Sequence, residues 1–536
     1  MKFIKFTLPI YAVLALSLSG CNFSKNSSSD QKSAEDESVT ISVLHTNDIH
    51  GSYMPFTTTL DNSTAQTGDE TDVLVRFDRE GIIGGMPRMA QAVKSIRSQK
   101  GEESVILLDG GDTFSDDQLS NLTKGETVIR LMNQLKYDMM VLGNHDFDYG
   151  LERTRQLNEM ANFPMRAANI IDESTGEPIF NEAYTILERK GLKIAILPVG
   201  YRNTPLTGNP KNIEGLRFEK GVEIIQKYLP ELKSKSDVII VLSHEGMAVD
   251  KTIAEKVEGI DLIIGAHSHD VITPPVKING TFVVQALSDG AVLGETELII
   301  KDKDLSGINT NYHFLWNEDF DKDAEAEKLV QELRKPHLSK LEEQITTTDT
   351  IIGRQYKSES PFDKMVTTLM MENFNADASF LPGVGYGISL KGDITSEDIY
   401  KLLPHPAKIV TLKMTGEQIK TTLEQTATNL KPKNKTNIVG GLIQSSGINY
   451  KIDITKPLGQ RVTDIMINGR ELEMTHNYKV ATHSGMLNGI HNYEEFGKGM
   501  DIEKTDIVLT EFVIQNLRDI KKLPFPKKMG EVKLTK

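Results

Sequence analysis

Five short polar motifs in the first half of the chain carry residue types that bind divalent cations. Each motif begins where an apolar run ends, at residues 39–44, 105–108, 139–142, 238–242 and 262–264. Carboxylate and amide oxygens combined with imidazole nitrogens suit Zn, Mn or Fe better than metals that prefer thiolates. The motifs contribute seven candidate metal ligands: Asp48, His50, Asp112, Asn144, His244, His267 and His269.

The spacing within two motifs favours a shared metal site. Asp48 and His50 are two residues apart, so on an extended strand end both side chains can face one ion. His267 and His269 have the same spacing. One such pair alone is more often explained by structural histidines, but two pairs with three further ligand types are not. Seven ligands are too many for one catalytic ion with an open position, but they fit two ions that share a carboxylate.

A two-metal site of this kind predicts a particular reaction. Such sites hold their ions about 3.5–4 Å apart and clamp the attacking and leaving oxygens of an in-line displacement. A water that bridges the two ions has its pKa lowered toward neutrality, which provides a bridging hydroxide near pH 7. The ligand set therefore predicts the hydrolysis of phosphate esters.

The apolar runs before the motifs predict the elements that position these ligands. Runs rich in Val, Ile and Leu that stop at glycine-bearing turns indicate buried strands. Ligands at the carboxyl ends of such strands meet at one edge of an α/β sheet. The alternation of strand, turn and helix predicts a layered α/β domain. Further strands are predicted at 193–198, 281–286 and 295–300, and helices at 89–96 and 127–135.

The chain length predicts more than one domain, because 536 residues exceed what one hydrophobic core supports. We expect a dimetal domain at 39–320, a connecting helix at 321–350 and a C-terminal substrate-binding domain at 351–536. The connector is rich in Glu, Lys and Leu, and Pro336 is expected to bend it. In the last domain we predict helices at 366–371, 397–403 and 417–423, and strands at 448–454 and 478–481.

Residues 1–20 are predicted to be an export signal. Lys2 and Lys5 precede a short apolar run, and the ending Leu18-Ser19-Gly20-Cys21 resembles the lipobox of bacterial lipoproteins, in which Cys21 is the site of lipid attachment. Residues 21–38 are polar and read as a flexible tether. We therefore expect an exported lipoprotein anchored to a membrane, in the periplasm or at the cell surface. The alternative is an ordinary cleaved signal with an incidental cysteine.

Composition narrows the classes of partner. The net charge of −14 argues against a nucleic acid polymer as a partner. It does not argue against a small anionic substrate, because bound dications reverse the local field. Cys21 is the only cysteine in the chain, so an internal disulfide and a thiolate metal site are both excluded.

The motifs of the first half resemble the calcineurin-like metallophosphoesterases, and more narrowly their 5'-nucleotidase family. The resemblance extends from residue 39 to about 530. It implies a four-layer α/β-β/α metallophosphoesterase domain joined by a helix to a smaller α+β C-terminal domain of the 5'-nucleotidase type. The motifs that carry it are Asp48-Ile49-His50, Gly111-Asp112, Gly143-Asn144-His145-Asp146, His244 and Gly265-Ala266-His267-Ser268-His269.

The same resemblance implies a role for each site residue. His145 and Asp148 match the catalytic dyad of the family, in which the Asp orients and charges the imidazole. A helix N-cap is the alternative for Asp148. Two divalent metal ions are implied, one held by Asp48, His50, Asp112 and His269, and the other by Asn144, His244 and His267 with Asp112 bridging.

The second half departs from the 5'-nucleotidase pattern. The stretch 381–389 lacks the arginine of the family's Gly-Gly-Ile-Arg loop, and 489–493 reads Gly-Ile-His-Asn-Tyr. At 361–364, 382–387 and 439–441 the chain is more similar to the thiosulfohydrolases of periplasmic sulfur oxidation. Candidate substrate contacts are Tyr386, His491 and Tyr493, with Phe496 as a further aromatic residue; packing at turns is the alternative for these aromatics.

The expected function is hydrolysis of nucleoside 5'-monophosphates to nucleoside and phosphate, so the expected partner is a small phosphorylated substrate. One alternative is a thiosulfohydrolase that releases sulfate from a cysteine-linked thiosulfonate on a carrier protein. A second alternative is a non-catalytic surface binding lipoprotein with a vestigial metal site. The presence of all seven candidate metal ligands in the sequence argues against this last hypothesis.

Overall fold

In a computed structural model of the chain, the structure describes residues 38–58, 79–115, 117–384, 388–437, 439–527 and 530–535. The predicted signal peptide, Cys21 and almost all of the tether lie outside these residues, as does Tyr386. No helix within these ranges is both long enough and apolar enough to cross a membrane.

The N-terminal half is built on two sheets whose apolar faces pack together. Val43 and Ile106 of one sheet lie in the same buried cluster as Ile240 of the other. In the described part of the chain, the first sheet has the order Leu216–Phe218, Met165–Asp172, Met139–Val141, Val105–Asp109, Val39–Thr46, Val292–Lys301 and Asp304–Phe314, with Pro178–Ile179 beside Met165–Asp172. The second has the order Val276–Ile278, Thr281–Val284, Leu262–Ile264, Val238–Ser243, Leu192–Val199 and Thr185–Arg189.

Helices cover the outer face of each sheet. Those that pack on the first sheet are Met86–Lys100, Gln118–Thr123, Glu126–Leu135 and Leu151–Met160. Those that pack on the second are Gly221–Lys235 and Met247–Lys256. The central strands of each sheet are parallel, so their carboxyl ends lie at one edge. The predicted four-layer α/β-β/α arrangement is confirmed.

The helical part of the connector is shorter than the sequence predicted. Helix Ala324–Arg334 is followed by a 3-10 turn at Lys335–His337, where Pro336 interrupts it, and by the single turn Leu338–Leu341. The helical prediction is wrong from Gln344 onward, because Gln344–Ile352 is a strand paired with Leu390–Thr395. Ile345 and the threonines after it are β-branched, which favours the extended conformation over a helix.

The C-terminal half is α+β, as predicted. Its main sheet has the order Gln444–Ser446, Ala378–Leu381, Asn477–His483, Lys408–Thr415 and Met500–Val508 in the described residues. A smaller sheet has the order Arg470–Glu471, Val462–Ile467, Ile448–Asp453 and Val532–Thr535. The helices are Pro361–Asn373, Ser396–Leu402, Gly416–Leu430 and Leu509–Arg518. The two halves share one apolar cluster, in which Ile83 and Trp316 lie with Phe362 and Leu381.

Candidate metal centre and catalytic pocket

The predicted metal ligands lie just after the carboxyl ends of parallel strands. Five of the seven adopt a left-handed backbone conformation, in which a non-glycine residue costs about 1–2 kcal/mol. They are Asp48 (φ 51°), His50 (φ 49°), Asp112 (φ 54°), His267 (φ 71°) and His269 (φ 54°). Strained backbone of this kind concentrates at functional sites, where the surrounding structure imposes it. The chain therefore turns sharply after the three strands that carry these five residues and brings their side chains together.

Asp48, His50 and His269 form the first cluster. The Nε2 atoms of His50 and His269 are 3.1 Å apart, and Nε2 of His269 is 3.4 Å from Oδ1 of Asp48. Asp48 is fully buried, and its Oδ2 accepts hydrogen bonds from the Asn47 side chain (2.6 Å) and from the backbone N–H of His267 (2.9 Å). These donors hold the carboxylate in one orientation, which leaves Oδ1 beside the imidazoles.

Asp112, His244 and His267 form the second cluster. Nδ1–H of His244 donates to the carbonyl of Gly110 (2.6 Å), which fixes the tautomer and leaves Nε2 3.1 Å from Oδ2 of Asp112. Nε2 of His244 is also 3.9 Å from Oδ1 of Asp48, so the two clusters are adjacent. A ligand imidazole whose second nitrogen binds a backbone carbonyl is the usual arrangement at protein metal sites.

Electrostatics within this centre follow from burial and close opposite charges. Burial alone would lower the pKa of His244, but the carboxylates of Asp112 and Asp48 raise that pKa to about 10. Burial alone would raise the pKa of Asp112, but His244 and His145 hold it well below its usual range. Burial, together with the charge of His244, lowers the pKa of His267 to about 3. The centre therefore concentrates ionised carboxylates beside imidazole nitrogens.

Buried polar atoms without partners test whether this site fits metal ions. Oδ1 of Asn144 and Nδ1 of His269 are buried and make no hydrogen bond to any residue that the structure describes. A buried polar atom without a partner costs about 1–3 kcal/mol. Asn144 lines the same cavity as Asp112 and His50. An oxygen and nitrogen donor set of this kind is compensated by divalent cations, so the residues present fit a dimetal site.

Asp146 organises the loops that carry these ligands, a role that sequence reasoning missed. Its carboxylate is buried and accepts hydrogen bonds from the backbone N–H groups of Asp112 (2.9 Å), Thr113 (2.8 Å) and Gly143 (2.8 Å). These hydrogen bonds join the loop after strand Val105–Asp109 to the loop after strand Met139–Val141. The motif Gly143-Asn144-His145-Asp146 contained the residue, but spacing alone does not distinguish a ligand from a support.

His145 and Asp148 lie together beside the metal clusters. Nδ1 of His145 is 2.8 Å from Oδ2 of Asp148, and the backbone N–H of His145 donates to Oδ1 of Asp112 (2.7 Å). A carboxylate at Nδ1 fixes the tautomer and orientation of an imidazole. Asp148 does not cap the next helix, because Gly150 is the N-cap of Leu151–Met160. The alternative interpretation of Asp148 as a helix cap is therefore wrong.

A cavity of about 490 Å³ lies over this centre, with walls from both halves of the chain. The N-terminal half contributes His50, Asp112, Asn144, His145, Asp148, Tyr201, His267 and His269, among others. The C-terminal half contributes mostly apolar side chains, including Leu381, Pro382, Val384, Leu403, Pro404, Pro406, Val439 and Ile490. The reactive groups therefore lie on one side of the cavity and a largely apolar surface lies on the other.

The predicted substrate contacts divide in the structure. His491 lines the cavity. Tyr493 and Phe496 are not among the side chains that line it, since both are buried in the core of the C-terminal half, where the Phe496 ring packs edge-on against Phe380. Both aromatic residues therefore fill a core, which was the alternative interpretation for these positions.

Two cavity residues from the C-terminal half were missed by sequence reasoning. Arg354 is buried, pairs through two nitrogens with Asp363 (2.9 and 3.1 Å), and donates to the carbonyl of Leu402 (2.6 Å). Nδ1 of His405 is 3.4 Å from Oδ2 of Asp148, and the His405 ring stacks on His145. Neither residue belongs to a spaced motif; the only signal was a histidine between two prolines, a rigid setting for a side chain.

Comparisons with known proteins agree with this architecture. Residues 41–271 match the calcineurin-like phosphoesterase family model, and residues 340–498 match the model of the 5'-nucleotidase C-terminal domain. A 5'-nucleotidase of Vibrio cholerae is 26% identical over 524 aligned residues, which cover 87% of each chain.

Solved structures share the fold across the described chain. A 5'-nucleotidase precursor of Thermus thermophilus has a TM-score of 0.81 at 23% identity, covering 92% of this chain and 99% of that one. The sulfate thiohydrolase SoxB of Thermus thermophilus has a TM-score of 0.80 at 23% identity, covering 92% and 96%. With a phosphoesterase domain, a 5'-nucleotidase C-terminal domain and this fold, the chain belongs to the 5'-nucleotidase family of the calcineurin-like metallophosphoesterases.

Proposed function

We propose that this chain hydrolyses nucleoside 5'-monophosphates to nucleoside and phosphate. Its family makes it a metal-dependent hydrolase of phosphoric esters, and its 5'-nucleotidase relatives and C-terminal domain support the nucleotide as substrate. The observation that carries the proposal is that two carboxylate–histidine clusters and the His145–Asp148 pair border one cavity. A small phosphate ester can reach all of these groups at once.

In this proposal the seven predicted ligands hold two divalent cations, and Mn, Zn or Fe are the expected ions. Asp48, His50 and His269 cluster in the structure, as do Asp112, His244 and His267. We assign Asp112 to both ions and Asn144 to the ion beside His244 and His267. When bound, such ions supply Lewis acidity and lower the pKa of water. The chain orients the ligands through the Gly110 carbonyl and the Asn47 side chain, and its apolar wall limits the access of bulk water.

His145 is the proposed catalytic residue that stabilises negative charge on the phosphoryl group and the leaving oxygen. Asp148 holds Nδ1 of His145 at 2.8 Å, which fixes the orientation of the ring. Donors of this kind contribute about 10²–10³-fold to kcat in other enzymes. We therefore expect His145→Gln to lower kcat by about 10²-fold or more with the metal content unchanged.

The test is a phosphate-release assay on protein lacking residues 1–21, with AMP and a generic aryl phosphate as substrates. We expect turnover with added Mn²⁺, loss of turnover after chelation, and recovery when the ion is returned. His476→Gln is the matched control for His145→Gln, because His476 is an exposed imidazole in the C-terminal half. If neither ester is cleaved with any divalent ion, the proposed function is wrong.

Release of sulfate from a cysteine-linked thiosulfonate is the second candidate. The observation that favours it is that the C-terminal half lines the cavity with a largely apolar wall. The arginine of this wall, Arg354, is already paired with Asp363 and not available for a nucleotide phosphate. The SoxB fold is as similar as that of a 5'-nucleotidase, so the fold does not discriminate between them. Sulfate from such a conjugate, with no phosphate from nucleotides, would select this function. Full metal occupancy with no turnover of either substrate would select a binding lipoprotein.

We further propose that the chain is exported and held at a membrane through lipid on Cys21, in the periplasm or at the cell surface. The support is the ending Leu18-Ser19-Gly20-Cys21 after a short apolar run. Cys21→Ser is expected to abolish incorporation of labelled lipid and to release the protein from the membrane fraction. An unchanged membrane fraction would contradict this proposal. The proposed domain bounds are 39–320 for the dimetal domain and 351–536 for the C-terminal domain, with a connector between them whose helical part ends at Leu341.

A further inference from the structure

We propose that His405 is a positioning residue, supplied by the C-terminal half, that completes the His145–Asp148 pair; this inference rests on the proposed function. Nδ1 of His405 lies 3.4 Å from Oδ2 of Asp148, the same oxygen that lies 2.8 Å from Nδ1 of His145. The two imidazole rings are stacked, with centroids 5.1 Å apart and planes inclined by 8°. One carboxylate oxygen therefore faces two imidazoles that come from opposite halves of the chain.

The segment that carries His405 is held firmly. The carbonyl of Leu403 accepts a hydrogen bond from the hydroxyl of Thr510 (2.5 Å), and the carbonyl of Ala407 accepts one from the backbone N–H of Leu509 (2.8 Å). His405 lies between two prolines, whose rings restrict the backbone on both sides. A side chain on such a segment loses little conformational entropy when it contacts a partner.

A second contact aligns this segment with Asp148. The side chain of Asn121 donates to the carbonyl of Pro404 (2.8 Å) and accepts a hydrogen bond from the hydroxyl of Tyr149 (2.7 Å). Pro404 precedes His405 and Tyr149 follows Asp148, so Asn121 joins the two segments one residue from each member of the pair. The approach of His405 to Asp148 is therefore part of an interface, and the orientation of His145 depends on the C-terminal half being docked.

The other imidazoles of the same cavity wall are placed differently. His483 accepts a hydrogen bond from the backbone N–H of Gly485 (3.1 Å), and burial lowers its pKa to about 3. Burial also lowers the pKa of His491 to about 4. The His405 side chain is 37% exposed and is the member of the wall that lies beside the Asp148 carboxylate. Its position, and not the mere presence of histidine in the cavity, supports the assignment.

Three substitutions separate the two contacts of His405. His405→Phe keeps a ring that can stack on His145 but removes the nitrogen near Asp148, His405→Asn keeps an amide donor without the ring, and His405→Ala removes both. We measure kcat and KM for AMP and for a small aryl phosphate, with metal content and melting temperature for every variant. His476→Ala, in an exposed part of the same half, is the control.

A residue that acts by positioning the dyad should lower kcat for both esters while KM changes by less than about 3-fold. We expect His405→Ala to lower kcat by about 10-fold, which corresponds to about 1.4 kcal/mol. His405→Phe or His405→Asn should recover part of this loss. In an Asp148→Asn background, His405→Ala should lower kcat by less than about 2-fold, since the two residues act through one carboxylate. Asn121→Ala should lower kcat in the same direction by a smaller factor.

Each other outcome overturns the inference. If wild type is active and His405→Ala has the same kcat, His405 has no part in the mechanism, and the proposed function stands. A KM effect confined to AMP would make His405 a contact of the leaving group, and full additivity with Asp148→Asn would exclude action through that carboxylate. Loss of a bound ion in His405→Ala would identify a third metal site at His145, Asp148 and His405. If wild-type protein cleaves neither ester, the proposed function and this inference fail together.

Discussion

The Arg354–Asp363 pair allows a quantitative prediction, because the chain contains a matched pair in a different environment. Arg354 and Asp363 have side chains 3% and 0% exposed. Arg518 also contacts Glu343 through two nitrogens, both of which donate to Oε1 (2.8 and 3.1 Å), but these two side chains are 48% and 42% exposed. Both pairs therefore join a guanidinium to a carboxylate through two nitrogens at similar distances, and the large difference between them is burial.

Asp363→Asn should destabilise the protein far more than Glu343→Gln. The first substitution leaves the buried Arg354 guanidinium without its carboxylate, although it still donates to the carbonyl of Leu402, and breaking a buried pair in this way costs about 3–5 kcal/mol. The second leaves Arg518 in contact with water, where an ion pair contributes about 0–1 kcal/mol. We expect a difference of at least about 2 kcal/mol in the free energy of unfolding.

The assay is urea denaturation followed by the fluorescence of Trp316, the only tryptophan of the chain. Trp316 is buried in the cluster that contains Phe362, next to Asp363 in sequence, so it reports on this region. Urea is preferable to guanidinium because it does not screen charges. The double variant Arg354→Met/Asp363→Leu should recover much of the lost stability. If Asp363→Asn costs no more than Glu343→Gln, burial is not what determines the strength of the pair.

Three further predictions concern the metal centre and the core. Asp112→Asn removes a negative charge from the residue assigned to both ions. We expect elemental analysis to find at least one ion lost and phosphate release to fall by more than about 10²-fold. Two retained ions would contradict the shared assignment. Chelation of the metal ions should lower the melting temperature of the protein. Ligands that bind only the folded state stabilise it by about 2.7 kcal/mol at 100 times their Kd. An unchanged melting temperature would argue against bound ions. Burial lowers the pKa of His45 to about 4, and neither ring nitrogen has a partner among the described residues. Between pH 7.5 and 5 the unfolded chain therefore takes up a proton on this residue and the folded chain does not. The free energy of unfolding of wild type should fall by about 2 kcal/mol relative to that of His45→Leu over this range. Urea titrations at the two pH values measure this difference, and a parallel loss in both proteins would refute it.

The metal centre could be anticipated because its residues follow strand ends. Asp48, Asp112 and His244 each come after a Val- or Ile-rich run, and such runs indicate buried strands whatever the tertiary context. Parallel strands then bring their carboxyl ends to one edge, so local patterns determine a non-local site. The four-layer domain was predictable for the same reason.

The C-terminal contribution to the pocket could not be anticipated in this way. His405 and Arg354 reach the cavity through the docking of two domains, and no periodicity in the sequence records that docking. Tyr493 was assigned to the substrate because aromatic residues near turns occur both in binding loops and in cores, and here the residue lies in the core. The strand at Gln344–Ile352 was missed because the Glu- and Lys-rich composition of the preceding helix was extended past Leu341.

The split origin of the cavity wall has a consequence for how such a protein diverges. The groups assigned to bond cleavage all precede residue 270, whereas Leu381, Pro382 and Val439 on the opposite wall come from after residue 350. Mutations in the later stretch, outside the segment that carries His405, can reshape selectivity while the metal ligands and the His145–Asp148 pair stay intact. A protein organised in this way can acquire new substrates through one gene segment and inherit its metal ligands and its dyad through the other.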